Sequence, residues 1–129
     1  NLDEALKFFR NTQKKRTIAF VISDFMDENN FIEGLKVSKR RHDMVAIHLL
    51  DEAERHLPNV GVIQLYNSET EETTWVNSAS RQAKEAHSSN FNKTQDKLFD
   101  DFQKSGVDFA TISTSEDFIK PLVKLFQRR

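Results

Sequence analysis

The 129-residue chain has no cysteine, which excludes disulfides, thiolate metal sites and thiol nucleophiles and fits a reducing compartment. Glycine occurs only three times, at Gly34, Gly61 and Gly106, each isolated. A phosphate-cradling loop needs clustered glycines so that backbone N–H groups can approach the anion, so P-loop and dinucleotide-fingerprint readings fall away. No run approaches the ~20 apolar residues of a membrane span, and no signal-peptide pattern is present. Acids and bases are interspersed and nearly cancel, to a formal charge of −1, so no global field draws in nucleic acid or an anionic membrane. Apolar content is modest at 37%, but eleven phenylalanines offset this because each buries a large area. The length suits a single domain over residues 1–129. The opening "NLDEALKFF" already reads as helix without a leading methionine, so the chain is expected to be a piece of a longer protein.

Residues 2–15 place Leu2, Ala5, Leu6 and Phe9 on one face, with acids early and lysines late, which predicts a helix whose dipole is complemented. "TIAFVIS" (17–23) is a strand with consecutive apolar residues, the pattern of burial on both faces. Helical spacing returns through Phe31, Ile32 and Leu35, and "MVAIHLL" (44–50) is a second apolar strand ending on Asp51. A loop over 52–59 closes at Pro58, and residues 60–78 alternate around a polar centre, predicting a β-hairpin with Tyr66 and Trp75 on its arms. Those two rings are expected to cover a helix or the sheet, with a partner surface as the alternative. Ser78 is placed to cap a long helix that ends at Gly106, with "HSSN" (87–90) as a possible kink. "DFATIS" (108–113) is a third strand, and Phe118, Leu122, Leu125 and Phe126 share a face of a last helix that starts close to Pro121. Alternation of strands and helices implies parallel strands joined by right-handed crossovers. The fold class is therefore α/β: a partial doubly wound sheet of three parallel strands plus a β-hairpin, flanked by helices.

Several stretches taken together, "RTIAFVISDFMDE", "SKRRHDMVAIHLLD", "DEAERHLPNVG", "TTWVNS" and "SGVDFATISTSEDFIKPLVKLFQRR", resemble the C-terminal half of a bacterial family. It is the von Willebrand factor A-like family known as domain of unknown function 58. The resemblance implies a Rossmann-type, von Willebrand A-like sheet whose fourth to sixth strands are present. Metal-binding domains of that kind carry a D-x-S-x-S loop, a threonine and a strand-end aspartate. Asp24 matches that aspartate, followed by Phe25 where adhesion-type domains usually have glycine; no D-x-S-x-S occurs in this chain. Mg²⁺ wants six oxygens in octahedral array, and one aspartate supplies one or two. The resemblance thus implies no cofactor in this fragment, a metal-site remnant at Asp24, and Mg²⁺ in the intact protein. It also implies protein partners, a MoxR-type AAA+ ATPase among them, a cytoplasmic setting and no catalytic activity. In the family's strand order "TIAFVIS" becomes an unpaired apolar edge here, so the fragment is expected to self-associate.

The competing reading gathers Asp24, Asp27 and Asp51 at strand ends, with Thr114, as a metal-dependent hydrolase or phosphotransfer domain. Against it, no lysine stands at a third strand end, and Asp24 and Asp27 lack D-x-D spacing. Asp27 and Glu28 read as acids at a helix N-terminus. His42, His48, His56 and His87 never fall at ligand spacing, and His48 reads as a packed or edge-facing strand residue. "KKR" (14–16) and "KRRH" (39–42) sit at helix C-termini and would form a nucleic-acid patch only by meeting in space; no nucleic-acid partner is expected.

Overall fold

A computed structural model describes residues 1–26, 30–57, 60–67 and 70–129. Its elements in chain order are α1 (Leu2–Thr12), β1 (Ile18–Ser23), α2 (Phe31–Lys39), β2 (Asp43–Leu50), a 3₁₀ turn (Glu52–Arg55), β3 (Val62–Asn67), β4 (Glu72–Asn77), α3 (Arg81–Ser105), β5 (Asp108–Ser113) and α4 (Ile119–Gln127). The chain gathers into two compact units, residues 1–51 with 98–129, and residues 52–97.

In the first unit, β1, β2 and β5 form an open parallel sheet in the order β1-β2-β5. This is the α/β sheet of three parallel strands expected from the sequence. The central strand β2 is buried from Met44 to His48 because helices lie over both of its faces. Met44 and Ala46 join Leu6 of α1, Phe31 and Leu35 of α2, and Leu98 and Phe102 of α3 in the larger core. Val45 and Ile47 pack with Ala110 of β5 and Leu125 of α4 on the other face.

The local chemistry explains the helices. Asn1 caps α1 by accepting from the Glu4 N–H (3.3 Å), Asp3 and Glu4 occupy the first turn, and Lys7 pairs with Asp3 at 2.8 Å. Arg10 then ties α1 to α2, donating to the Gly34 carbonyl (3.0 Å) and to Ser38 Oγ (3.3 Å). Gly34 permits that approach: a Cβ there would lie 3.0 Å from Asp3 Oδ1 and 3.1 Å from Leu6 Cδ1. The long helix α3 ends as expected, with Gly106 just past it in the left-handed region (φ +69).

β1 meets one expectation and departs from another. Among the described residues it has a single sheet neighbour, the unpaired edge the family's strand order implied, but burial along it alternates instead of holding on both faces. Ala19 and Val21 pack against the larger core, while Ile18, Phe20 and Ile22 are exposed. The reason is that α4 packs over β2 and β5, and reaches β1 where Phe126 approaches Phe20 (ring centroids 6.1 Å apart).

The second unit contains the 3₁₀ turn, the hairpin and the first part of α3. The region expected as a loop from residue 52 begins with that turn; Pro58 and Asn59 lie outside the described residues. β3 and β4 pair antiparallel, as expected. Ser78 does not cap the helix. It is fully buried, its Oγ accepting from the Val60 N–H (2.9 Å) and donating to the Gly61 carbonyl (2.5 Å), which ties the base of the hairpin. Ser80 takes the capping role, its Oγ accepting from the Ala83 N–H at 3.4 Å. α3 runs from Arg81 to Ser105 as one helix with no break at residues 87–90.

Candidate functional site

Because β1, β2 and β5 are parallel, the residues that follow them share one end of the sheet. Asp24 follows β1, Asp51 follows β2 and Thr114 follows β5, so three of the residues singled out from the sequence come to the same edge. Open α/β sheets place their ligands at this end. Asp27 and Glu28 lie outside the described residues.

The chain leaves β1 through a tight local network. The Phe25 N–H donates to Ser23 Oγ (3.0 Å) and the Met26 N–H donates to Asp24 Oδ1 (3.1 Å). Between these bonds Phe25 adopts φ +55, a left-handed conformation that favours glycine. Its ring is buried against Phe31 (5.3 Å between centroids) and Phe102 (4.9 Å, edge to face), so core burial offsets the backbone strain. The turn therefore drives Phe25 inward and leaves the Asp24 carboxylate exposed.

Behind Asp24, Ser23 stands opposite His48 in the sheet, and His48 Nδ1 lies 3.3 Å from Thr111 Oγ1 of β5. His48 is buried, as the sequence suggested, and its ring contacts Phe25. Burial lowers the imidazole pKa below its usual value, with the Asp24 carboxylate pulling the other way. At neutral pH the ring is therefore a neutral hydrogen-bonding group.

Asp24 does not by itself make a cation site. One of its oxygens already accepts from Met26, and among the described residues no three His, Cys, Asp or Glu side chains gather to share an ion. A hexacoordinate Mg²⁺ needs oxygens beyond those this carboxylate offers.

Two other sequence features resolve differently. Arg41 donates to the Lys14 carbonyl at 3.3 Å, so the two basic runs do meet near the N-terminal end of β1. Within the same region Lys39 Nζ donates to the Gly106 carbonyl, and Arg129 bridges Asp43 and Asp108. On the hairpin, Gln64 stands opposite Trp75 and Tyr66 opposite Thr73, which places Tyr66 and Trp75 on one face. Both rings are exposed, contrary to the expectation that they cover a helix or the sheet. Alternation identified the strands, but it says nothing about whether anything packs on their apolar side.

Comparison with known proteins decides the family. The model of the family described as "Protein of unknown function DUF58" matches residues 1–97. The chain belongs to the DUF58 family. Among its relatives, the uncharacterized protein MAV169 of Mycobacterium avium is 26% identical across the whole chain and 76% of its own length. The uncharacterized proteins Rv1480 of Mycobacterium tuberculosis and Mb1516 of Mycobacterium bovis are 33% identical over 54% of this chain. That match spans only 22% of the length of either protein. No solved structure matches this DUF58 chain. Among the described residues, no helix is long and apolar enough to cross a membrane.

Proposed function

We propose that this DUF58 chain is a protein-interaction module and not an enzyme, serving as an adaptor for a MoxR-type AAA+ ATPase in a cytoplasmic bacterial protein. In this reading its sheet is part of a von Willebrand A-like domain. The observation that carries it is the hairpin face that bears both Tyr66 and Trp75, each exposed. Large aromatic side chains in that state are the residues that anchor protein interfaces, because each offers wide apolar contact at little conformational cost. Asp24 then supplies one ligand of a divalent site whose remaining oxygens come from elsewhere in a longer protein or from a partner carboxylate. A purified MoxR-type ATPase from the same bacterium tests the reading. Saturable binding to the chain, weakened about tenfold or more by Tyr66→Ala with Trp75→Ala, supports it. Absence of binding at ~100 μM, an affinity too weak for a specific adaptor, refutes it.

A second reading has its own observation, the convergence of Asp24, Asp51 and Thr114 at one end of the sheet. It makes the chain a metal-dependent hydrolase or phosphotransfer domain. Turnover of generic phosphate esters with Mg²⁺, abolished by Asp24→Ala, would establish it over the adaptor reading.

A further inference from the structure

The sheet formed by β3 and β4 has two strands, and neither hydrophobic cluster of the described residues draws a side chain from it. A two-stranded hairpin on its own is marginally stable in water and gains from a cover over one face. Register fixes what one face carries. Val62, Gln64 and Tyr66 of β3 share it with Asn77, Trp75 and Thr73 of β4. On it Val62, Tyr66 and Trp75 are 66, 62 and 70% exposed. Tyr66 lies opposite Thr73, two residues from Trp75, so the two rings are rooted at diagonal neighbours about 7–8 Å apart.

Charge narrows the choice of occupant. Lysine and arginine are absent from residues 56–80, the longest such run in the chain. Glu71 and Glu72, both exposed, stand at the start of β4, next to the Tyr66 end of the face. A polyanion would be repelled by these carboxylates, and a purely apolar partner would gain nothing from them.

We propose that this face takes an extended, arginine-bearing segment of a partner protein, with two arginines at positions i and i+2 lying on Tyr66 and Trp75. This deepens the interaction-module reading, on which it rests, whether or not the partner is an ATPase. Alternate side chains of an extended segment point the same way roughly 7 Å apart, which matches the diagonal spacing of the two rings. A guanidinium is planar and weakly hydrated, so it stacks on an aromatic face while keeping its N–H groups free to donate. Glu71 and Glu72 need no fixed contact, since within a Debye length of about 10 Å they draw cations toward the face.

Trp75 is the chain's single tryptophan, so its emission reports directly on this face. The probe is the end-blocked heptapeptide Gly-Ser-Arg-Thr-Arg-Ser-Gly, titrated into the 129-residue chain at about 50 mM salt. Each stack on an exposed ring contributes modestly, so saturation with a dissociation constant on the order of 1 mM is expected. Citrulline in place of both peptide arginines keeps the planar shape without the charge and should weaken binding about tenfold or more. Tyr66→Ala should weaken it about threefold, while Tyr66→Phe, which keeps the ring, stays within about twofold of the parent. Glu71→Lys with Glu72→Lys should weaken it about fivefold.

No saturable change in Trp75 emission up to about 10 mM peptide overturns the proposal. So does a citrulline peptide that binds as well, a comparison that needs no altered protein and holds even if a variant fails to fold. Binding indifferent to Tyr66→Ala overturns it too. Emission that shifts with protein concentration alone would mean that a second copy covers the face, which is likewise fatal to it. Peptide binding without ATPase binding supports this inference while refuting the ATPase adaptor, and ATPase binding without peptide binding does the reverse.

Discussion

Phe25 offers a test of how the end of β1 is built. Its ring is almost completely buried, and truncation to alanine removes the contacts with Phe31 and Phe102. Such truncations cost about 3–5 kcal/mol. An unfolding entropy of about 2.1 cal/mol/K per residue gives this chain roughly 0.27 kcal/mol/K, so Phe25→Ala should lower the melting temperature by about 10–18 °C. Phe25→Gly removes the same ring but also relieves the left-handed backbone, which costs a residue with a Cβ about 1 kcal/mol. Glycine should therefore melt about 4 °C above alanine. At a right-handed position the order is reversed, since glycine is then the less stable by about 0.5–1 kcal/mol. Far-UV circular dichroism melts of the three proteins decide the matter. A glycine variant melting below alanine would refute the strained-turn account, and an alanine variant within about 3 °C of the parent would refute the burial account.

Other outcomes follow from single contacts. Ser78→Ala should cost about 1–3 kcal/mol within the hairpin unit and speed amide exchange at Val60 about tenfold or more, since that N–H loses its buried acceptor. Gly34→Val should destabilise by about 1–3 kcal/mol in urea unfolding, because the added carbons meet Asp3 and Leu6. The lowered pKa of His48 means that the unfolded chain binds its proton more readily than the folded one. Its contribution to stability is complete above the unfolded value of about 6.5 and is lost as pH falls from there toward the folded pKa. Asp24→Asn removes the opposing carboxylate and should lower the His48 pKa further, as NMR titration of the ring would record; an unchanged or raised value would contradict the assigned coupling. Calorimetric titration with Mg²⁺ should give a dissociation constant of about 1 mM or weaker, because a single exposed carboxylate cannot complete an octahedral shell.

The three parallel strands and the helices between them were legible because apolar runs and helical spacing alternate clearly. Gly106 and Pro121 also marked the ends they were expected to mark. Less legible was what covers each face. The run from Ile18 to Ile22 reads as doubly buried, yet α4 leaves one side of it open; periodicity records where side chains point, not what lies above them. Two serines stand within reach of the start of α3, and composition alone cannot say that Ser78 turns back to Val60 while Ser80 caps. The left-handed turn after β1 was hidden for a different reason. Its usual marker is glycine, and here a phenylalanine holds that conformation through burial. Of the candidate site, the shared end of Asp24, Asp51 and Thr114 follows from parallel topology, but the inward-facing partnership of His48 with Thr111 depends on register.

The pairing of β2 with β5 has a consequence for how the chain tolerates change. Leu50 and Ser113 are sheet neighbours, although the whole segment Glu52–Lys97 is spent on an excursion between their strands. The entropy of closing such a detour grows only with the logarithm of its length, so doubling it would cost about 0.6 kcal/mol. Extra residues inserted within the detour are thus a small burden on the parallel sheet, whereas one residue added inside β2 would turn every later side chain of that strand to the wrong side.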